Sequence, residues 1–264
     1  MKRILLIAAF VTCIANVFAQ EADSTDTKSK KKRISVSIDI DGDKDDSKKD
    51  SLKASKSLGF SFKLTVSRLD LGFVKLRDNG RFSLSPANSF LDYNAWKSNN
   101  IGFDVLEFGY RVDSHFKIYL SGGFDWSHLR LENDITIQRN TPVLTDTTDA
   151  ISYNKNRFSS SYLRIPLSFE FKSKVDKNGK KMILVFGPDA GFLINGRVKQ
   201  KSSESGKQKF DDDYHFRQFR YGGFARLGYG GGGLYVKYSA TDMFENSPAQ
   251  NGLKTMSFGV THAF

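Results

Sequence analysis

Residues 253–264 read Leu-Lys-Thr-Met-Ser-Phe-Gly-Val-Thr-His-Ala-Phe, and apolar side chains alternate with small or polar ones along this stretch. One face carries Met256, Phe258, Val260, His262 and Phe264, and the other carries Thr255, Ser257, Gly259, Thr261 and Ala263. Because side chains on a strand point to opposite faces in turn, the stretch is predicted to be one strand with an apolar face and a small, polar face. Its length suits the roughly 9–11 residues that a tilted strand needs to cross a bilayer, and a terminal aromatic residue is typical of the last strand of an outer-membrane barrel.

Seven more amphipathic segments precede this strand and are divided by turn-rich gaps. They are residues 58–76, 101–112, 116–137, 160–172, 181–198, 214–229 and 234–241. The gaps alternate between long and short, as they do in outer-membrane barrels, which have tight periplasmic turns and longer outer loops. An even number of strands puts both ends of the barrel on the rim with the short turns. The sequence therefore predicts an all-β fold: an eight-stranded antiparallel up-and-down transmembrane barrel over residues 58–264.

The alternation also predicts which face meets lipid. In residues 163–171, large apolar side chains alternate with polar ones such as Arg164. In a barrel of this kind the apolar half faces hydrocarbon and the polar half fills the interior, which agrees with a mean hydropathy of −0.42. A soluble lipocalin-like barrel is the alternative, and it would reverse the two faces.

Three positions interrupt the regular pattern. The apolar phase switches near Ser67, which predicts a β-bulge or two short strands. Pro166 lacks a ladder donor and belongs at an edge or a bulge. In residues 101–112 the apolar Ile101 and Phe103 lie on the face that later carries Glu107, so the orientation of this segment stays open.

The first nineteen residues have the features of a secretory signal peptide. Lys2 and Arg3 precede an apolar run, and residues 17–19 form a small-residue exit. Cys13 lies inside the signal, where a lipoprotein interpretation would make it the first mature residue; Thr12 stands where that interpretation wants a small residue. With cleavage after Ala19, the mature chain has no cysteine for disulfide or thiolate chemistry.

Residues 20–57 differ from the rest of the chain in composition. They contain a basic run at 28–33 and a mixed acidic and basic run at 39–50, and they lack aromatic residues. This composition predicts a solvated, largely disordered periplasmic lead-in, within which residues 34–40 alternate as a short strand does.

The charge of the chain favours anionic partners. Loss of the two basic residues of the signal lowers the net charge from +11 to +9. Such a charge favours lipopolysaccharide and phospholipid headgroups. Nucleic acid is not expected as a partner of an exported protein. No mature stretch approaches the roughly 18 consecutive apolar residues of a transmembrane helix.

Three stretches carry a family resemblance: Leu69-Asp70-Leu71-Gly72-Phe73, Ser161-Tyr162-Leu163-Arg164-Ile165-Pro166-Leu167, and Ser257-Phe258-Gly259-Val260 through Phe264. Through them the chain resembles the small eight-stranded barrels of the OmpA/OmpX type and, more closely, the PorT-like outer-membrane β-barrel proteins. The resemblance spans residues 58–264 and implies a barrel in the outer membrane of a Gram-negative cell. It implies no single activity. His262 departs from the usual pattern, in which an aromatic residue is commoner.

Charged residues on the inward faces are candidates for an ion path. They are Glu107, Arg111, Asp125, Arg164, Glu170, Asp189, Arg220, Arg226 and Lys237. The interior of an eight-stranded barrel is just wide enough for side chains to fill it, so a closed polar core is favoured over a path. Charges in such a core must pair, because an unpaired buried ion is costly.

Two acidic clusters suggest metal ions. Asp39, Asp41, Asp43 and Asp45 have the spacing of a calcium loop, but Lys44 and Asp50 replace the glycine and the glutamate that an EF-hand needs. Asp211-Asp212-Asp213 could contact divalent cations that bridge lipopolysaccharide. A solvated linker and a solvated loop flank are the favoured interpretations, so no metal site is predicted.

An enzymatic role would need a nucleophile, a base and an orienting acid. The histidines are His115, His128, His215 and His262. His128 and His215 could approach the outer rim, with Ser127, Asp125 and Asp213 near them in sequence, but no G-x-S-x-G motif accompanies them. No catalytic or cofactor-binding residue is predicted, and the protein is expected not to be an enzyme.

Aromatic residues are expected to form belts at both membrane boundaries. The outer belt would contain Trp126, Phe158, Tyr162, Tyr214 and Phe216, and the inner one Phe108, Tyr110, Phe171, Tyr229, Tyr235 and Phe264. Tyr93 and Trp96 in the first long gap could serve a carbohydrate site, although loop packing is the favoured interpretation.

The predicted function is a structural or interaction role in the outer membrane. The long outer loops would contact lipopolysaccharide, surfaces or a partner protein. A small-solute channel is the first alternative, and an outer-membrane lipid-modifying enzyme is the second.

Overall fold

The computed structural model describes residues 59–263. The predicted signal peptide, the lead-in with its acidic cluster, and Phe264 lie outside the described residues. The strands are β1 Gly59–Asp78, β2 Asn99–Arg111, β3 Phe116–Leu131, β4 Ile135–Ile137, β5 Asp146–Thr148, β6 Lys155–Lys172, β7 Met182–Ser202, β8 Gly206–Asp212, β9 Phe219–Tyr229, β10 Gly232–Ser239 and β11 Leu253–Ala263. Three 3₁₀ helices are Pro86–Leu91, Ala95–Lys97 and Pro248–Gln250.

Eight of these strands form a closed antiparallel ring in the order β1-β2-β3-β6-β7-β9-β10-β11. The ring closes where β11 pairs with β1, from Leu253 opposite Asp78 to Ala263 opposite Arg68. Each strand lies beside its neighbour in the chain, so closure removes every free edge from the ring. The predicted eight-stranded up-and-down barrel is confirmed.

Apolar side chains face outward around the ring, as predicted. In β11, Phe258 is 40% exposed and Val260 is 56% exposed, whereas Ser257 and Thr261 on the other face are buried. Exposure of large apolar side chains is costly in water and favourable in hydrocarbon. The face assignment rules out the lipocalin-like alternative, in which these residues would be packed inside.

The irregular positions of the sequence are irregular in the ring too. The register of β1 against β2 shifts between Leu64 and Arg68, which is the bulge predicted near Ser67. The register of β2 against β3 shifts between Asp104 and Leu106. This second shift settles the open orientation of β2, because an extra residue moves every later side chain to the other face.

Pro166 lies in a break of the ladder between β3 and β6. These strands pair up to Leu120 opposite Leu167 and resume at Gly123 opposite Arg164. Proline lacks the amide hydrogen for a ladder bond. The ring therefore accommodates Pro166 without an edge.

Several segment boundaries predicted from the sequence were wrong. The third segment ends at Leu131, because residues 132–134 turn and Ile135–Ile137 pairs with β5 instead. The sixth segment begins at Phe219, because Tyr214 and His215 have φ values of 48° and 55°, which a strand excludes. The fourth and fifth segments extend further than predicted, to Lys155 and Ser202.

The two rims differ as predicted. One rim carries the short connections 112–115, 173–181 and 230–231, together with the start of β1 and the end of β11. The other carries the long connections 79–98, 132–154, 203–218 and 240–252. We call these the inner and outer rims, following the loop asymmetry of outer-membrane barrels. Within residues 59–263 no helix has the length and apolar character needed to cross a membrane.

Candidate functional site

Asp70 is the centre of a charged network inside the ring. Its carboxylate accepts hydrogen bonds from Arg226 at 3.3 and 2.8 Å and from the Thr261 hydroxyl at 2.7 Å. Arg164 and Lys237 lie 3.4 and 3.7 Å from the same carboxylate. A carboxylate that is fully removed from water requires this number of donors to offset its desolvation.

Arg164 connects Asp70 to the rest of the lumen. Its guanidinium is fully buried and lies 3.7 Å from Asp104 and 3.3 Å from Asp189, in addition to Asp70. Asp104 also contacts Arg68, at 3.4 Å. The two stretches of sequence that carried the family resemblance in β1 and β6 thus meet in this ion pair.

A second carboxylate closes the outer end of the network. Asp125 accepts from Lys237 at 2.7 Å, from Arg220 at 2.5 Å and from Asn100 at 3.1 Å. A cavity of about 30 Å³ lies beside Asp125 and Asp189. That volume has room for about one or two water molecules.

The inner end of the lumen is paired as well. Glu107 lies 2.5 Å from Lys117 and 3.9 Å from Lys63. Glu170 pairs with Lys172 at 2.7 Å, so it neutralises a neighbour on its own strand rather than a charge across the lumen. Arg111 lies at the end of β2, opposite Lys117 of β3. The predicted inward charges therefore form a side-chain-filled core with its carboxylates in ion pairs.

Above the charged network the inside of the ring becomes apolar. This outer core consists of Val74, Leu76, Leu91, Leu129, Leu131, Ile135, Ile137, Leu144, Phe158, Val198, Tyr214, Phe216, Met243, Phe244 and Leu253. Phe158 is 1% exposed, and its ring centroid lies 4.6 Å from that of Phe216 and 6.1 Å from that of Phe244. We call this cluster the apolar cap, because it fills the outer end of the lumen.

Each of the four long connections contributes side chains to the apolar cap. Leu144 N donates to the Ser247 hydroxyl at 2.9 Å, which joins the second and fourth connections. Gln200 of β7 donates to Ile135 O at 3.0 Å, which holds β4 against the inside of the ring. The His215 ring bonds to Thr141 O at 2.8 Å. The outer layer is therefore one packed structure with its own core.

The outward side of this layer carries rows of basic side chains. In the first row, Arg130 lies opposite Arg157 in the strand register, Arg157 lies opposite Lys199, and Lys199 lies opposite Lys209. In the second row, Lys155 lies opposite Lys201, and Lys201 opposite Lys207. We call this set of residues the cation face: Arg130, Lys155, Arg157, Lys199, Lys201, Lys207 and Lys209.

The cation face contains no acidic partner within the part of the chain that the structure describes. At its lower edge Arg197 binds Asp211 at 2.5 Å, and this hydrogen bond holds the pKa of the Asp211 carboxyl below its ordinary value. The charge of Lys207 lowers the pKa of Lys199. Like charges directly opposite each other destabilise a sheet, so the rows are unfavourable for folding alone.

The cation face was missed in the analysis of the sequence. Basic residues recur at every second position in 155–157, 197–201 and 207–209, a period that puts them on one side of a strand. That signal was present. Its meaning depended on the register, because only the pairing of β6, β7 and β8 brings the three runs side by side.

The structure separates the residues considered for catalysis. His128 Nδ1 lies 2.9 Å from the Ser159 hydroxyl, whereas Ser127 and Asp125 point into the lumen on the opposite face of β3. His115 lies on a short inner connection, as predicted, and bonds to Ser114 at 2.9 Å. His262 is exposed near the end of β11.

The three consecutive aspartates have separate partners. Asp211 binds Arg197 and, at 2.9 Å, Asn195. Asp212 accepts from Asn140 N at 3.1 Å, and Asp213 accepts from His215 N at 3.0 Å. Within residues 59–263 no group of three potential metal ligands converges.

The aromatic belts are only partly as predicted. Trp126 packs outward beside Phe103 and Phe124, at centroid distances of 5.3 and 5.9 Å. The remaining predicted outer-belt residues face inward: Phe158, Tyr162, Tyr214 and Phe216. Of the inner set, Phe108, Tyr110, Phe171 and Tyr229 are exposed and Tyr235 is buried. The Tyr235 hydroxyl donates to Asn100 at 3.1 Å. Tyr235 therefore lies in the lumen, although the sequence analysis assigned it to the lipid boundary.

The two aromatic residues considered for a carbohydrate site diverge. The Tyr93 hydroxyl accepts from Leu76 N at 2.8 Å and packs against the apolar cap, which is the expected loop packing. Trp96 is 83% exposed and meets Phe73 edge-on at 5.5 Å.

Comparison with known proteins gives a family and two solved structures. No curated protein matches the sequence. Two crystal structures of Ail, the attachment invasion locus protein of Yersinia pestis, resemble the chain: one at 9% identity and a TM-score of 0.32, and one in complex with the heparin analogue sucrose octasulfate at 12% and 0.33. Each covers 79% of this chain and 100% of Ail. The family model described as outer membrane protein beta-barrel domain matches residues 33–245, and the chain therefore belongs to that family of outer-membrane β-barrel proteins.

Proposed function

We propose that the protein is a non-conducting interaction protein of the outer membrane, exported through a signal peptide at residues 1–19. Residues 20–57 serve as a periplasmic lead-in to the barrel of residues 58–264. Within the outer-membrane barrel proteins, the chain belongs to the PorT-like subgroup. The outer layer contacts lipopolysaccharide, a surface or a partner protein. The protein has a structural and binding role, with neither an enzymatic reaction nor a cofactor.

The filled lumen is the observation that carries this proposal. A conducting barrel needs a wetted path along its axis, but Arg164 is fully buried at the centre and the apolar cap closes the outer end. Reorganising either region would leave unpaired charges or expose apolar surface to water. The filled lumen therefore favours a role in which the outer layer binds other molecules over a role in transport.

Planar bilayers test the absence of conduction. The full chain, refolded in neutral detergent and inserted in a bilayer, is expected to give no stepwise current at moderate voltage. The variant Phe158→Ala, an eight-stranded barrel whose apolar cap is weakened, serves as the comparison. Reproducible single-channel steps from the unaltered protein would overturn the non-conducting role.

Photo-crosslinking in intact cells tests the interaction role. A crosslinkable residue in place of Val143, which is 41% exposed on the second long connection, should capture lipopolysaccharide or a specific surface molecule. The matched control replaces Val175, which is 55% exposed on a short inner connection and should capture neither. Equal capture at both sites would contradict the assignment of the rims.

His128 supplies the test of the enzymatic alternative. Its ring lies 2.9 Å from the Ser159 hydroxyl, the same distance as His115 from Ser114, and it lies toward the outer rim rather than on an inner connection. His128→Ala is expected to leave the mass profile of cellular lipid A unchanged. A lipid A modification that disappears with this substitution would replace the binding role by an enzymatic one.

A further inference from the structure

The cation face lies on the lipid side of the barrel. In β6 the apolar Leu163 and the basic Arg157 and Lys155 share one face, and the opposite face carries the buried Arg164 and Phe158. The basic residues therefore continue the lipid-facing surface outward along the same strand. Lys207 and Lys209 extend this surface onto the third long connection, where β8 pairs with β7.

The height of the cation face is set by the aromatic residues beneath it. Trp126, with Phe103 and Phe124, forms an outward patch of the kind that lies at headgroup depth. Arg130 is four residues further along β3, which is about 13 Å along a strand. Because the strands of such barrels tilt by roughly 35–45°, the first basic row lies about 10 Å above the aromatic patch along the membrane normal, on the side of the outer-leaflet headgroups.

The density of charge defines the chemistry of the ligand. Directly opposite side chains in a sheet are about 5 Å apart, so the first row puts four cations side by side without an intervening carboxylate. The apolar backs of the same strands are locked in the apolar cap, which prevents the sheet from rotating its charges apart. An array held this way fits a ligand with several closely spaced anionic groups.

We propose that the cation face binds the phosphate groups of glycolipids in the outer leaflet around the barrel. This inference rests on the proposed interaction role and gives it a ligand class and a site. The contact is lateral: acyl chains lie along the apolar band, and phosphates accept from the basic rows. Each phosphate bridges opposing cations and offsets the repulsion between them.

Binding of lipid A in mixed micelles tests this site. The full chain in neutral detergent is titrated with phosphorylated lipid A and with its dephosphorylated form, and bound lipid is counted by native mass spectrometry. Retention of the phosphorylated form alone, weakened by added salt, is expected because screening reduces attraction between exposed charges. Equal binding of both forms would overturn the inference.

A matched pair of variants locates the contact. The test variant Lys155→Gln, Lys199→Gln, Lys207→Gln removes three charges from the cation face. The control variant Lys174→Gln, Lys177→Gln, Lys181→Gln removes three from the inner connection of the same hairpin. The test variant should bind phosphorylated lipid A roughly 10- to 100-fold more weakly, and the control as the unaltered protein does. Undiminished binding by the test variant would refute the site.

Two further results separate this inference from the proposed function. Dextran sulfate, a soluble polyanion, is the competing ligand. If the protein binds it more tightly than lipid A, and the test variant weakens this binding to the same extent, the ligand is a soluble partner and not a lipid. Failure to bind phosphorylated lipid A by a barrel that remains non-conducting and crosslinks at its outer layer would refute this inference alone. Unheated gel migration confirms that both variants fold.

Discussion

The lumen and the cation face both bring several basic residues together on neighbouring strands, but they treat charge in opposite ways. In the lumen Arg164 contacts three carboxylates and is removed from water. On the cation face Lys199 lies between Arg157 and Lys209 without a carboxylate among the described residues. Desolvation makes pairing obligatory in the lumen, whereas solvent makes it optional outside. The difference indicates that the charges of the lumen stabilise the barrel, whereas the charges of the cation face are available to bind a ligand.

The largest expected effect is loss of the central cation of the lumen. Arg164→Met leaves Asp70, Asp104 and Asp189 with one fewer donor each, and breaking a buried pair costs about 3–5 kcal/mol. The folded barrel is followed as the gel band that migrates faster when the sample is not heated. We expect Arg164→Met to lose this band at a much lower urea concentration than the unaltered protein does. A midpoint equal to that of the unaltered protein would show that the network is not essential to the barrel.

The apolar cap should be nearly as sensitive. Phe158→Ala removes a ring packed against those of Phe216 and Phe244, and truncation of a buried phenylalanine costs about 3–5 kcal/mol in soluble cores. Because the long connections share this core, they should become susceptible to protease while the membrane-spanning strands stay protected. The exposed Phe192→Ala on the lipid face is the control, and unchanged proteolysis of Phe158→Ala would contradict a shared core.

The cation face should respond in the opposite direction. Lys199→Glu puts a carboxylate between Arg157 and Lys209, and opposite charges directly across neighbouring strands attract each other. We expect a small rise in the urea midpoint in neutral detergent, together with weaker lipid A binding. Lys177→Glu on the inner connection should change neither quantity. A lower midpoint for Lys199→Glu would mean that the rows do not repel.

The smallest effect concerns the exposed pair at the edge of the cation face. Because Arg197 holds the pKa of Asp211 below its ordinary value, this pair stabilises the fold above the ordinary carboxyl pKa of about 3.9 and loses that contribution as pH falls through the lower, folded value. Arg197→Met should cost about 0.2–1 kcal/mol at neutral pH.

Urea titrations at neutral and acidic pH measure this difference. The unaltered protein and Arg197→Met should converge below the folded pKa of Asp211, since the carboxyl is then protonated in both. A gap between the two proteins that stays constant down to acidic pH would assign the effect to side-chain packing instead of charge.

Much of the barrel could be predicted from local pattern. Period-two alternation identified the membrane strands, and Ser67 and Pro166 lie at the irregularities expected of them. The outer belt was largely wrong, because Phe158 and Tyr214 fit either a lipid face or a core by their chemistry alone. Tyr235 was assigned to lipid for the same reason, although its hydroxyl binds Asn100 in the lumen.

The amino-acid sequence by itself determined the eight strands, their apolar and polar faces, and the alternation of short and long connections, because each depends on neighbours along the chain. Tertiary structure decided which charges meet. Asp70 and Arg226 are 156 residues apart, and the three basic runs of the cation face become one surface only through register. Strand pairing sums small energies over the whole ring, so no single stretch of sequence specifies it.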